Sequence, residues 1–308
     1  MRLMIETLFS ILFVYAFITL GYVAKRIFKS QMDSKTLTLM SVYFTQPFVS
    51  VWGFSTAKLH GEHLAVAGIY LGIIALLLVP SIAIAKILFD DPKARSIFSI
   101  AGFVGNTGNI GIPLGIALFG ETSVVYTTII NLANVFVVYG LGTYIYSRGR
   151  FDVKQSLRNV VKIPIIPASV IAIVWNVYGG GFAPQVLEFF KMGAYAGIVL
   201  QLFLLGTFLY GITITALHPK LFVGTLTQKF LFVPLLSALI LAQTALPLEV
   251  QAIVLMEMST PLAVANINLA SLYDCRPKDV TSLILLSTLL FIPVLFVFVE
   301  AMHRFYGI

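Results

Sequence analysis

The sequence predicts an all-helical protein that crosses a membrane many times, and three observations support this fold class. The mean hydropathy of the 308 residues is +0.97, and charged residues make up 11% of the chain. Apolar runs of about 20 residues, the length that spans a bilayer as a helix, recur along the whole chain. The chain also holds 13 prolines and 23 glycines, which membrane helices tolerate better than soluble helices do.

Apolar runs between charged breaks predict ten membrane-spanning helices. The first five are Met4–Ala24, Thr36–Ala57, His63–Leu88, Ile97–Phe119 and Thr122–Tyr146, and the second five are Val160–Tyr178, Leu187–Thr215, Leu221–Ala245, Leu248–Leu272 and Val280–Met302. The first run has no A-x-A-like cleavage site and is followed by Lys25, Arg26 and Lys29. We therefore expect a retained helix there rather than a signal peptide.

The lysines and arginines are distributed unevenly between the predicted loops. Fifteen of the 20 follow odd-numbered spans, four lie on the opposite side, and Lys229 falls within or near the eighth span. The positive-inside rule then predicts a multi-pass protein of a prokaryotic-type inner membrane with both termini outside. Because basic loops of a membrane chain set its orientation, the formal charge of +7 does not indicate a nucleic-acid partner.

Ten spans divide into two sets of five, residues 1–150 and 151–308. The first span would run from outside to inside and the sixth from inside to outside, so the halves are predicted to be inverted repeats. The most basic loop, Arg148–Lys162, lies where the halves join. The fourth span of each half carries residues that disturb a helix, which is the correspondence between the halves that the sequence offers.

The disturbed spans contain the segments Gly102–Gly115 and Glu257–Asn268. The first segment has five glycines, two asparagines and Pro113, and the second has Pro261 among hydroxyl and amide residues. Proline removes an N–H group and blocks the carbonyl four residues earlier, so the helix opens. Interrupted spans at equivalent positions of two halves indicate a transporter's binding site, and the N–H groups of half-helices favour an anion. The alternative is a proline kink, with the glycines allowing close helix packing.

Five motifs occur in order along the chain. They are Asn106-Thr-x-x-x-Gly-Ile-Pro-Leu114, Lys162-Ile-Pro164, Lys229 with Pro234, Ser259-Thr-Pro261 followed by Leu272-Tyr273, and the last helix from Thr281 to Pro293. Together they resemble the auxin efflux carrier family, which includes plant auxin exporters and bacterial malonate or malate permeases. The set covers most of the chain, so it is more specific than any single motif.

The resemblance implies a fold like that of the bile acid sodium symporters. In that fold a scaffold, here 1–62 and 160–215, holds a mobile transport domain, here 63–147 and 219–302. Helices four and nine cross near their prolines, and the family pattern places Asn106, Pro113 and Pro261 at this crossover. The resemblance also implies elevator-type alternating access and a homodimer. The central loop is short, unlike that of the plant carriers, so neither their phosphorylation control nor auxin as the substrate is implied.

Glu257 is a carboxylate away from any predicted span end, and intramembrane acids are functional by default. In the similar bile acid symporters, a glutamate on helix nine completes sodium sites with helices four and five, and neutral oxygens suit a hard cation. The predicted Na⁺ ligands are Thr107, Asn109, Asn131, Asn134 and Glu257. The hypotheses are Na⁺ coupling, H⁺ coupling through Glu257, uncoupled transport, or a structural pair of Glu257 with Lys229. No other cofactor is predicted.

These observations predict a secondary transporter of a small organic anion. The predicted substrate-binding residues are Asn106, Asn109, Gly111, Pro113, Ser259, Thr260, Pro261, Asn266 and Gln46. Gln46 lies on the presumed scaffold, where it faces the substrate or bridges two helices. No arginine at mid-membrane is placed to hold a second carboxylate bidentately, which favours a monocarboxylate or a dicarboxylate with one charge held by dipoles. The expected partners are the anion, the lipid bilayer and a second copy of the chain.

Other function classes lack their motifs. The four histidines lie in loops or at span ends without H-E-x-x-H spacing, and no G-x-S-x-G is present, so we expect no catalytic residues and no enzyme. No charged ring of the kind that selects cations in a channel is found. The alternatives that stay open are an uncoupled, auxin-like carboxylate uniporter or exporter and, from another class, a channel or a receptor-like membrane protein.

Overall fold

A computed structural model of the chain describes residues 2–55, 61–147, 164–179, 181–211 and 218–306. Helices account for most of these residues, and the described part of the chain contains no strand, only an antiparallel bridge between Gly105 and Leu262. The predicted all-helical class is therefore confirmed. The basic central loop, Lys162 and the first residues of the predicted sixth span lie outside the described residues.

The helices before residue 148 include several short elements. They are α1 Arg2–Phe28, α2 Ser34–Met40, α3 Gln46–Ser55, α4 Gly61–Leu88, α5 Pro92–Ala101, α6 Ile112–Phe119, α7 Val124–Phe136 and α8 Thr143–Ser147. Single π-helical turns join α2 to α3, precede α6 and join α7 to α8. Helix α5 has a regular start, because the Asp91 carboxylate accepts a hydrogen bond from the Ala94 N–H at 2.8 Å and Pro92 occupies the first turn.

The helices after residue 163 also include several short elements. They are α9 Ile165–Tyr178, α10 Pro184–Leu209, α11 Pro219–Thr227, α12 Val233–Leu241, α13 Leu248–Ser259, α14 Ala265–Leu272 and α15 Pro277–Ala301. A π-helical turn, Gln228–Phe232, joins α11 to α12, and another follows α15. Helices α13 and α14 together occupy the predicted ninth span, which the structure divides into two.

Three of the π-helical turns end two residues before a proline, namely Pro47, Pro113 and Pro234. Proline offers no N–H group, and its ring collides with the carbonyl four residues earlier in a regular α-helix. A π-helical turn shifts its hydrogen bonds to the fifth residue, which accommodates that carbonyl and often marks a functional site. Lys229 lies in one of these turns, so its backbone belongs to an irregular part of its helix.

Five described helical stretches are long and apolar enough to cross a membrane. They are Gly61–Leu88, Glu121–Ser147, Pro184–Leu209, Pro219–Leu241 and Pro277–Arg304, and two shorter apolar stretches are Thr107–Phe119 and Pro167–Tyr178. Helix α1, at 27 residues, also has the length of a span. These helices confirm a multi-pass membrane protein. The number ten, the inverted repeat and the orientation stay predictions.

The described residues form two compact units. Unit 1 consists of those within 1–65, 108–132 and 158–211, and unit 2 of those within 66–107, 133–157 and 212–308. Unit 1 therefore holds α1 to α3, α6, most of α7, α9 and α10. Unit 2 holds most of α4, α5, α8 and α11 to α15.

In unit 1, α1 and α10 approach each other backbone to backbone. A Cβ atom at Gly21 would lie 1.8 Å from the carbonyl oxygen of Phe203, and a Cβ atom at Gly206 would lie 1.8 Å from that of Ile18. Both distances are far too short for any real side chain. Because lipid gives little hydrophobic driving force between helices, such close packing at small residues is a main source of association in a membrane.

In unit 2, ion pairs connect the start of α5 with the start of α15. Lys93 Nζ lies 3.0 Å from a carboxylate oxygen of Asp274, and Arg276 contacts Asp91 at 3.1 Å and Asp279 at 3.3 Å. Asp274 and Arg276 both adopt left-handed backbone conformations, with φ of 51° and 45°. The tie holds the starts of two helices of unit 2 in a fixed arrangement.

Candidate substrate and ion site

Two helical segments of unit 2 are interrupted where the sequence predicts mid-membrane disturbance. Helix α5 ends at Ala101, and the chain runs without regular helix through 102–106 before a π-helical turn begins at Thr107. Helix α13 ends at Ser259, and helix resumes at Ala265. We call residues 102–106 the first break and residues 260–264 the second break. Every residue of both breaks is buried.

The two breaks pair with each other through their backbones. The N–H of Asn106 donates to the carbonyl oxygen of Pro261 at 2.7 Å, and the N–H of Ala263 donates to the carbonyl oxygen of Val104 at 2.9 Å. These two bonds flank the antiparallel bridge between Gly105 and Leu262. Because non-helical backbone at membrane depth must find partners within the protein, each break supplies partners for the other.

An asparagine and a tyrosine support the first break. The Asn134 amide donates to the carbonyl oxygen of Gly105 at 2.9 Å and to Oγ1 of Thr107 at 3.0 Å. The Tyr70 hydroxyl donates to Oδ1 of Asn134 at 3.2 Å. The Asn134 amide is therefore fixed at both atoms, since Nδ2 donates and Oδ1 accepts. The side chains of Tyr70, Thr107 and Asn134 are all buried.

A second asparagine and tyrosine support the second break in the same manner. The Asn266 amide donates to the carbonyl oxygens of Ala263 at 3.1 Å and Val104 at 3.3 Å. The Tyr146 hydroxyl donates to Oδ1 of Asn266 at 3.1 Å. Asn266, predicted as a substrate ligand, is thus engaged with the backbone of both breaks in this structure.

The hydroxyl groups at the end of α13 bond to its own backbone. Ser259 Oγ donates to the carbonyl oxygen of Leu255 at 2.7 Å, and Thr260 Oγ1 donates to that of Glu257 at 2.7 Å. The last four carbonyls of a helix lack intrahelical partners. The Thr260 hydroxyl and the Thr260 N–H together satisfy one of them, that of Glu257. Both side chains, predicted as substrate ligands, use their donor here and keep oxygen lone pairs as acceptors.

Lys229 and Glu257 are the buried charged residues of this region. Lys229 Nζ donates to the carbonyl oxygen of Met258 at 3.0 Å, in the last turn of α13. A Cβ atom at Gly105 would lie 3.2 Å from this Nζ and 2.6 Å from Thr260 Oγ1. Glycine at 105 therefore makes room for the ammonium group of Lys229 beside the first break. Neither carboxylate oxygen of Glu257 has a hydrogen-bond partner among the described residues, so Lys229 does not donate to this carboxylate.

Several buried polar atoms of unit 2 have no hydrogen-bond partner among the described residues. They are Nδ2 of Asn106, both carboxylate oxygens of Glu257, Oε1 of Gln228 and the hydroxyls of Thr225 and Ser237. Leaving such a group unsatisfied costs about 1–3 kcal/mol, and more when it is charged. Buried polar groups in proteins are normally hydrogen-bonded, and a ligand site is one explanation for those that are not. The Asn106 amide and the Glu257 carboxylate are two such groups close to the breaks.

The other predicted site residues belong to unit 1. Asn109 and Pro113 are partly exposed, Gly111 is buried, and Gln46 is half-buried at the first residue of α3. Asn131 is buried on α7, and its Oδ1 would lie 2.9 Å from a Cβ atom at Gly108. Asn109 and Gly111 lie in the π-helical turn before α6, and Pro113 lies in the first turn of α6.

Unit 1 also contains a half-open cavity of about 560 Å³ whose wall includes charged side chains. Lys191 on this wall pairs with Glu121 at 3.4 Å, and the ring of the buried His63 lies against Tyr126 with centroids 5.0 Å apart. The cation of this wall is thus already paired with a carboxylate. The cavity contains none of the residues predicted to bind substrate or ion.

Three supporting residues were not predicted from the sequence. Tyr70 and Tyr146 hold the two asparagines, and Ser287 Oγ on α15 accepts a hydrogen bond from the N–H of Leu262 at 3.1 Å. Tyrosine in membrane proteins concentrates at the membrane interfaces. Tyr70 instead lies inside an otherwise apolar predicted span, and this unusual position was the signal that could have identified it.

Two comparisons with known proteins bear on the function of this chain. Residues 6–299 match the family model described as membrane transport protein, which confirms the resemblance seen in the motifs. An uncharacterized transporter of Methanocaldococcus jannaschii is 25% identical over 226 residues, 71% of this chain and 71% of that protein. The family match includes both breaks.

Proposed function

This chain belongs to the membrane transport protein family, and on that premise we propose that it is a secondary transporter of a small organic carboxylate. The observation that carries the proposal is the pair of buried breaks in unit 2, together with the unpartnered amide of Asn106 at the first break. Paired interruptions of membrane helices are where transporters of several folds bind their substrates. An amide N–H without a partner suits an acceptor such as a carboxylate oxygen.

The side chains around the breaks are the other proposed ligands of the anion. The N–H groups of the second break already have acceptors, because that of Leu262 donates to Ser287 Oγ at 3.1 Å and that of Ala263 donates to the carbonyl oxygen of Val104 at 2.9 Å. The π-helical turn before α6 continues directly into that helix, so Gly111, Pro113 and Pro261 are proposed to shape the site through the backbone. We propose that Asn106, Asn109, Ser259, Thr260 and Asn266 surround the substrate, with Gln46 facing it from α3. Because no arginine is predicted at mid-membrane, a monocarboxylate is favoured, or a dicarboxylate with one charge held by helix dipoles.

For movement, we propose elevator-type alternating access. In this proposal a scaffold of residues 1–62 and 160–215 supports a mobile domain of residues 63–147 and 219–302, and helices four and nine cross at the paired breaks. The two halves, 1–150 and 151–308, are inverted repeats, and two copies of the chain assemble in the inner membrane with their termini outside. The hydrogen-bonded pairing of the breaks supports the crossing, since it makes them one piece of unit 2.

For energy coupling, we propose that Glu257 carries the coupling ion, either H⁺ or Na⁺. Its carboxylate is fully buried, and neither oxygen has a hydrogen-bond partner among the described residues. A buried carboxylate in that situation favours protonation or a bound cation. The proposed Na⁺ ligands are Thr107, Asn109, Asn131, Asn134 and Glu257, which offer the oxygen atoms that such an ion prefers.

The second candidate is an uncoupled carboxylate uniporter or exporter. The observation that favours it is Lys229, whose ammonium group already donates to the end of α13. A fixed positive charge beside the end of α13 reduces the need for a coupling cation to neutralise Glu257. The two candidates share a substrate class and differ in their response to an ion gradient.

Uptake into proteoliposomes tests the proposal. Purified protein is reconstituted, and the entry of radiolabelled mono- and dicarboxylates is measured with and without Na⁺ and pH gradients. A hydrogen bond to a charged group contributes about 1.5–3 kcal/mol, so Asn106→Ala is expected to weaken uptake about 10- to 100-fold at low substrate concentration. Gln243→Ala, an amide in the exposed turn after α12, is the control and is expected to transport normally. Equal uptake by Asn106→Ala and the control contradicts the proposed site.

A further inference from the structure

The end of α13 concentrates negative charge in a buried place. The last carbonyls of a helix carry roughly half a negative charge, because they lack intrahelical partners and add their dipoles. The carboxylate of Glu257 lies in this last turn and is 0% exposed. A site of this charge and burial requires a cation nearby if the carboxylate is to be ionised.

Lys229 supplies such a cation from within the chain. Its side chain is 1% exposed, and its Nζ donates to the carbonyl oxygen of Met258, one residue after Glu257. The ammonium thus interacts with the end of α13 through a hydrogen bond, one residue from Glu257.

Because Gly105 has no side chain, the Lys229 ammonium can lie close to the first break. A Cβ atom at Gly105 would lie 3.2 Å from Lys229 Nζ, so the ammonium lies against the backbone of the break. The Gly105 carbonyl is occupied by Asn134, and the Met258 carbonyl by Lys229. Lys229 therefore stands where the end of α13 and the first break come together, the position that a bound cation would take to neutralise both.

We propose that Lys229 is a tethered substitute for a coupling cation and makes this protein independent of Na⁺. A Na⁺ ion at Glu257 would have to share the buried site with a fixed like charge, which disfavours its binding. This inference rests on the proposed function for its meaning in transport, and it selects among the coupling modes of the same site. Lys229 acts as a specificity-determining residue that leaves H⁺ coupling or uncoupled transport.

The test measures thermal unfolding of the purified protein in NaCl, KCl and choline chloride at equal ionic strength, with no carboxylate present. The wild type is expected to unfold at the same temperature in all three salts, within about 1 °C. Lys229→Met leaves Glu257 without its counter-charge and is expected to be stabilised by Na⁺ over K⁺ and choline, increasingly with concentration. The double variant Lys229→Met/Glu257→Gln removes both charges and is expected to lose this Na⁺ response.

Two further variants separate charge from fold. Lys229→Arg keeps the positive charge and is expected to stay insensitive to Na⁺. Lys220→Met, an exposed lysine on the preceding helix α11, is the matched control and is expected to behave as the wild type. Because no substrate is added, failure of the carboxylate proposal would leave these outcomes unchanged.

The proposal is overturned by a Na⁺-specific stabilisation of the wild type, or by a folded Lys229→Met that ignores Na⁺. If Lys229→Met does not fold in any salt, the test relies on the thermal unfolding of the wild type, Glu257→Gln and Lys229→Arg in the same three salts. A wild type that Na⁺ stabilises, with Glu257→Gln abolishing the effect, shows that Na⁺ binds despite the lysine. A wild type and Lys229→Arg that both ignore Na⁺ support the tethered cation.

Discussion

Units 1 and 2 are held together in opposite ways. In unit 1, α1 and α10 meet at Gly21 and Gly206, where backbone touches backbone and no side chain intervenes. In unit 2, the paired breaks depend on asparagine, tyrosine and serine side chains. Nδ2 of Asn106 and both carboxylate oxygens of Glu257 have no hydrogen-bond partner among the described residues. Close apolar packing stabilises a membrane helix pair at little cost, whereas unmet polar groups are expensive in lipid. This contrast is the reason why the proposed binding site is centred on the breaks of unit 2.

The largest effect is expected from the glycine contact of unit 1. Gly21→Ala would place a Cβ atom 1.8 Å from the Phe203 carbonyl oxygen, which forces α1 and α10 apart. Overpacking typically costs about 1–3 kcal/mol and more when backbone must move, so we expect severe loss of folded protein in detergent size-exclusion chromatography. Gly72→Ala on α4 is the control, because its Cβ meets nothing within 4 Å. A Gly21→Ala protein as stable as the control would contradict the close contact.

An intermediate effect is expected at the first break. Gly105→Ala would bring a Cβ atom within 2.6 Å of Thr260 Oγ1 and 3.2 Å of Lys229 Nζ. We expect a stability loss of about 1–3 kcal/mol together with loss of carboxylate uptake, because the breaks can no longer pair at this spacing. Gly140→Ala, within the turn between α7 and α8, has open space around its Cβ and serves as the control. Wild-type uptake by Gly105→Ala would show that the pairing is dispensable.

A smaller effect is expected from the two tyrosines. Tyr70→Phe and Tyr146→Phe each remove one hydrogen bond to a buried asparagine, at a cost of about 1 kcal/mol. Comparable losses in thermal unfolding would indicate that the two breaks are supported equally. Tyr178→Phe, at a side chain that is 86% exposed, controls for the loss of a hydroxyl. Unequal losses would mean that one break carries more of the strain than the other.

The sequence predicts the positions of the breaks better than their partners. Gly102–Gly115 and Glu257–Asn268 are recognisable because glycine, proline and amides are poor choices inside an apolar helix. The bonds of Tyr70 and Tyr146 depend on how far each helix is rotated and shifted against the next, which spacing along one helix does not determine. Lys229 shows the same limit. An ion pair with Glu257 is one hypothesis from the sequence, yet its ammonium donates to the Met258 carbonyl instead.

The smallest effect concerns Cys275, the single cysteine of the chain, in the turn before α15. Burial raises the pKa of its thiol to about 12, so the reactive thiolate is scarce at neutral pH. Maleimide labelling at pH 8 is expected to be at least about 100-fold slower in the folded protein than after unfolding. A folded-state pKa above the unfolded one means that this thiol's contribution to stability is present below about pH 9 and is lost as pH rises toward 12. Fast labelling of the folded protein would contradict the buried position.

The most direct test of the central claim, that the paired breaks of unit 2 hold an organic carboxylate, is ligand-dependent thermal unfolding. Wild type and Asn106→Ala are compared across a panel of mono- and dicarboxylates in NaCl and in KCl. A ligand at 100 times its dissociation constant stabilises the folded state by about 2.7 kcal/mol. We predict that one carboxylate class stabilises the wild type equally in both salts and that Asn106→Ala loses the response. No stabilisation by any carboxylate, or an undiminished response in Asn106→Ala, would contradict the claim.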